Sequence, residues 1–124
     1  MTSATPGAAG AAGAGGAAWD ASPCGLLVLD PDGLVLAANA EVLRWLGRPR
    51  EEVVGGARIG DLLTVGGRIY WETHLYPLLC VERRVEEVAL ELRVPGGRLP
   101  VLLSAAAGPG EPLGAVHVSL SSAR

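Results

Sequence analysis

CGLLVLDPDGLVLAANAEVLRWLG, residues 24 to 47, decides the fold. Two short apolar runs flank the tetrapeptide Asp30-Pro31-Asp32-Gly33. Pro31 suits the first central position of a type I turn and Gly33 the left-handed residue after it, so Cys24 to Ala38 reads as an antiparallel hairpin. Asn39 ends the second run and offers a side-chain oxygen to backbone N–H groups just ahead of it. The following segment, AEVLRWLG, therefore starts as a capped helix that Gly47 can close. Val42, Trp45 and Leu46 share one face of that helix.

Working outward, PREEVVG reads as a second short helix, with Pro49 at its start, Glu51 and Glu52 in its positive first turn and Gly55 past its end. ARIGDLL is a third single turn. Gly66-Gly67 marks the way into a helix predicted from about Arg68 to Tyr76. Pro77 ends or kinks it, because proline cannot donate to the carbonyl of Thr73. VEEVALELRV then alternates, with Val88, Leu90, Leu92 and Val94 on one face and Ala89, Glu91 and Arg93 on the other. PGGR turns the chain into LPVLLSAAA, and GPGEP leads to LGAVHVSL, in which Val116, Val118 and Leu120 oppose Ala115, His117 and Ser119. Two strands, several helices and three strands predict an α+β fold, an antiparallel sheet with short helices packed over one face.

The chain has 124 residues, room for one domain, with 49% hydrophobic and 19% charged residues. Residues 1–18 hold thirteen Ala or Gly and no charge, and read as a disordered tail, with 121–124 a second short tail and 19–120 the folded part. No secretory signal and no membrane-length apolar run is seen, which predicts a soluble, cytoplasmic protein. Cys24 and Cys80 lack the spacing of a metal site or a disulfide framework. The ten basic residues are scattered arginines in a chain of net charge −3, so no nucleic-acid footprint is present.

Hairpin, Asn39, PREEVVG and the final strands VALELRVPGGRLPVLLSAAAG and LGAVHVSL, taken in order, resemble the PAS family of signalling domains over residues 19 to 120. RIYWETHLYPLL further resembles a bacterial subgroup found ahead of serine phosphatases, histidine kinases and nucleotide cyclases. The resemblance implies a five-stranded antiparallel sheet with helices enclosing a pocket, and a role in sensing small molecules, light or redox state, or in dimerisation. It departs from the family in its Pro-Gly-Gly turn, its lack of phenylalanine and its end directly after the last strand. The Gly-x-Asn-Cys-Arg motif of flavin-binding relatives is absent.

Within GGRIYWETHLYPLL, Glu72, Thr73 and His74 are an acid, a hydroxyl and a base. Consecutive residues on a helix diverge by about 100°, so the three cannot meet on one substrate and no enzyme is predicted. Tyr70, His74 and Leu78 recur at helical spacing beside Trp71 and are expected to face the sheet. With Asn39, Trp45 and Leu90 they form the expected ligand-lining set. A buried His74 is expected to bond the carbonyl of Thr73, Glu72 or Asn39. Family resemblance also raises a haem ligated by His74, although no cofactor is required.

The expected function is therefore a sensor or interaction module that binds a small molecule or a protein partner. It would be homodimeric through the face its N-terminal segment covers, and would modulate an output phosphatase, kinase or cyclase. The alternative is a purely structural homodimerising adaptor with no ligand.

Overall fold

The computed structural model describes residues 13–123. Helix α1 (Gly13–Ala21) leads into the hairpin of β1 (Gly25–Leu29) and β2 (Val35–Ala38). Three short helices follow, α2 (Ala40–Leu46), α3 (Arg50–Val53) and α4 (Ile59–Leu62). A long helix, α5, is assembled from Val65–Tyr70, a widened turn Trp71–Leu75, and Tyr76–Glu82. Strands β3 (Arg84–Val94), β4 (Gly97–Ala107) and β5 (Val116–Ser122) complete a five-stranded antiparallel sheet in the order β2-β1-β5-β4-β3. Part of the expected N-terminal tail, residues 13 to 18, is thus helix, and residues 1–12 lie outside the described residues. At the other end β5 runs to Ser122, and the Ala123 N–H bonds the Pro100 carbonyl at 2.9 Å.

The hairpin forms as its turn residues dictate. The Asp30 carboxylate accepts from the N–H groups of Asp32 at 2.8 Å and Leu34 at 2.9 Å, while Gly33 takes a φ of 89° that favours glycine. Cross-strand register then puts Leu27, Leu29, Val118, Leu120, Leu103, Val101, Leu90 and Leu92 on one face, where all are buried. Helices cover that face and supply Val42, Leu46, Ile59, Leu62, Trp71, Leu75 and Leu79 to the same core. Each such side chain, fully buried, contributes roughly 1.5–3 kcal/mol. Gly25 lets α2 sit close, since a Cβ there would lie 2.9 Å from the Trp45 ring. No helix among the described residues is long and apolar enough to cross a membrane.

Asn39 is the buried polar residue of this core, with no exposed surface. Its Oδ1 accepts from the N–H groups of Leu26 at 2.9 Å and Val42 at 3.1 Å. Its Nδ2 donates to the carbonyls of Trp19 at 2.8 Å and Cys24 at 3.0 Å. The cap read from the sequence is present, and the same amide also joins α1 to β1. Asp20 adds a link, its carboxylate accepting from the Ala40 N–H at 2.9 Å. Asn39→Ala strands two N–H donors, one of them the helix cap, and two carbonyls, and is expected to lower unfolding free energy by roughly 3 kcal/mol in urea titrations.

Candidate functional site

Helix α5 starts tied to the sheet. Thr64 N–H bonds the Glu91 carbonyl at 3.0 Å, and Leu63 bridges Leu92. It does not stop at Pro77. The chain widens by one residue over Trp71–Leu75, so that the N–H of Tyr76 reaches the carbonyl of Trp71, five residues back. This wider turn accommodates a proline that would otherwise crowd the Thr73 carbonyl, and the helix continues to Glu82. Of the two expected outcomes at Pro77, an end or a distortion of the helix, the structure shows a distortion, and Cys80 lies within the helix, half-buried.

The buried face of α5 is also not the one the ring-rich spacing suggested. Trp71, Leu75 and Leu79 are 4%, 2% and 0% exposed, whereas Tyr70 and Leu78 are 41% and 43% exposed and His74 is exposed as well. Both stripes have the same helical spacing and lie one residue apart. The less polar one wins, because burying it desolvates neither an imidazole nor a phenol. His74 instead stacks on Tyr70, with ring centroids 4.7 Å apart and planes 15° apart, and its Nδ1 lies 3.0 Å from the Thr73 hydroxyl. That hydroxyl, not the Thr73 carbonyl, Glu72 or Asn39, is its partner, and it also donates to the Ile69 carbonyl at 2.8 Å. An outward imidazole that lines neither of the grooves described next does not fit a haem ligand.

Two open grooves flank α5. One, of about 650 Å³, runs along β3 and β4 and is lined by Thr64, Gly67, Tyr70, Leu90, Pro100 and Val101 among others. The other, of about 260 Å³, lies between the β1–β2 turn, α4 and α5, with Asp32, Arg58, Asp61, Arg68, Trp71 and Tyr76 in its walls. Of the expected set, the first groove unites Tyr70 with Leu90 and the second holds Trp71. Asn39 has used all its hydrogen-bonding capacity, and Trp45 donates its indole N–H to Glu41 at 2.8 Å. The seven residues therefore do not converge on one pocket.

Sequence reading missed the second groove. Its walls come from the β1–β2 turn, α4 and α5, and the bridge between Leu34 and Arg58 helps bring α4 to the turn. The Trp71 indole N–H has no hydrogen-bond partner among the described residues, although the ring is almost wholly buried. Beside it, burial raises the pKa of the Tyr76 phenol, helped by the Cys80 thiol and the Asp32 carboxylate. Among the described residues no group of three or more His, Cys, Asp or Glu could hold a metal ion.

Two outcomes are expected. Trp71→Ala is expected to cost roughly 3–5 kcal/mol of stability, and Tyr70→Ala or His74→Ala no more than about 1 kcal/mol, in denaturant melts. In a Tyr70→Phe variant, tyrosinate absorbance is expected to report Tyr76 titrating above the ordinary value of about 10. The folded form holds that proton more tightly, so this contribution to stability is intact below the ordinary tyrosine range and lost as pH rises through the raised value.

A sequence model of the PAS fold matches residues 19–57. Phosphoserine phosphatase RsbP of Bacillus subtilis (strain 168) is 32% identical over 87 residues, 69% of this chain, which spans about a fifth, 21%, of that relative's length. Among solved structures, the PAS domain of an HTR-like protein from Haloarcula marismortui superposes with a TM-score of 0.73 at 19% identity, covering 86% of this chain and 87% of that one. A PAS domain from a two-component sensor histidine kinase gives 0.72 at 12% identity, covering 87% and 92%. With the strand order and the capped hairpin already seen, these matches place the chain in the PAS family, as a domain typical of sensor and signalling proteins.

Proposed function

We propose that this PAS domain is the regulatory part of a bacterial signalling system, controlling an output phosphatase, kinase or cyclase rather than catalysing a reaction itself. Supporting the reading, RsbP is a phosphatase and a structural neighbour comes from a histidine kinase. The Thr73 hydroxyl meets the His74 imidazole but also bonds the Ile69 carbonyl, and Glu72 pairs with Arg68 instead of joining them. A cytoplasmic setting suits two unpaired cysteines, Cys24 and Cys80.

One observation carries the interaction role: among the described residues, five of the six exposed large hydrophobic side chains, Val65, Ile69, Tyr70, Leu78 and Val81, lie on α5. Its inner face is pinned while its outer face is left bare, an arrangement suited to contact with another protein. Homodimerisation would use the outer sheet face. There Leu26, Val28, Leu102, Ser104 and Ala106 are half-buried and His117 is exposed. Helix α1, from the N-terminal segment, is fastened beside α2 through Asn39 and Ala40. A small ligand would enter along the flank of α5, where Tyr70 and Leu90 share a groove, and would bias the domain only by contacting two states differently.

Native mass spectrometry of the purified protein tests the reading in one experiment. Expected is a dimer that Leu102→Arg converts to monomer, with an added small-molecule mass for a sensor and none for a pure adaptor. A monomer carrying nothing contradicts both.

A further inference from the structure

The groove between the β1–β2 turn, α4 and α5 combines features that the fold does not use. Trp71 lines it, 4% exposed, and its indole N–H has no acceptor among the described residues. In contrast, the Trp45 N–H has Glu41. The Arg58 guanidinium donates to the Asp32 carbonyl at 3.0 Å and pairs with no carboxylate among the described residues. Arg68, further along the wall, is held by Glu72 at 3.3 Å. Of the acidic groups, Asp61 accepts from the Arg58 N–H at 3.0 Å, whereas the Asp32 carboxylate has no partner among the described residues. The open positions are thus one guanidinium, one indole N–H and one carboxylate.

We propose that this groove binds a small organic carboxylate that also carries a hydrogen-bond donor, as a hydroxy acid or an amino acid does. The ligand carboxylate pairs with Arg58 and accepts from the Trp71 indole, and its hydroxyl or ammonium donates to Asp32. A volume of about 260 Å³ admits a molecule of this size. The proposal deepens the sensor reading and rests on it, since a ligand that contacts the β1–β2 turn, α4 and α5 together can report its presence through α5. It is independent of the dimer.

Proton–nitrogen correlation spectra of the whole protein give the test, because its three tryptophans, Trp19, Trp45 and Trp71, yield three indole signals. Lactate, L-alanine and propionate are titrated separately. Expected is a saturable shift of the Trp71 indole with lactate or L-alanine, with propionate at least about tenfold weaker, the equivalent of roughly 1.4 kcal/mol. Arg58→Gln, an exposed change, is expected to weaken binding at least as much while leaving the other two indole signals in place. Absence of a saturable Trp71 shift with either probe, propionate binding as tightly as both, or Arg58→Gln binding unchanged would each overturn the assignment. A silent groove in a protein that is still dimeric by mass defeats this inference alone; a monomeric, ligand-free protein defeats the regulatory reading.

Discussion

Everything in this domain depends on which side of one long helix is dry. Trp71, Leu75 and Leu79 seal α5 against the sheet, and every other feature of the helix follows from that choice. With those three inward, Tyr70, His74 and Leu78 must emerge on the outer side, where the rings stack on each other. The widened turn serves the same seal. By spreading one extra residue over Trp71–Leu75, the chain passes Pro77 and still delivers Leu79 to the core.

A second constraint operates at the opposite end of the fold. The Asn39 amide satisfies groups from α1, β1 and α2 with four hydrogen bonds in a site closed to water. Polar groups placed this way cost little when all are paired and much when one is lost, so they fix geometry more than they add net stability. Together the amide and the apolar seal hold the core closed and leave α5 exposed along one face. That division suits a module whose core stays constant while its surfaces communicate.

Much of this was legible in the residues. The Asp30 to Gly33 turn, the Asn39 cap and the alternation of β3 and β5 each rest on a local rule, and each appears as read. What could not be read was a choice between two stripes one residue apart, both at helical spacing: only packing against the sheet decides which is buried. The outcome at Pro77 stayed open for a related reason, since a local rule says end or kink while the core rewards continuation. The Trp71 groove was invisible because it joins Asp32, Arg58 and Trp71 across 39 positions of chain (71 − 32) through a bridge of long range. The first helix was hidden in a segment whose alanines and glycines carry no periodic signal.

Hydroxyl-radical footprinting of the native protein, read by tandem mass spectrometry, distinguishes the two stripes directly. With the apolar seam inward, Tyr70 and His74 oxidise readily while Trp71 is protected until the protein unfolds. Native-state oxidation of Trp71 ahead of a protected Tyr70 would show the helix turned the other way, and the fold, the groove and the exposed face described above would fall with it.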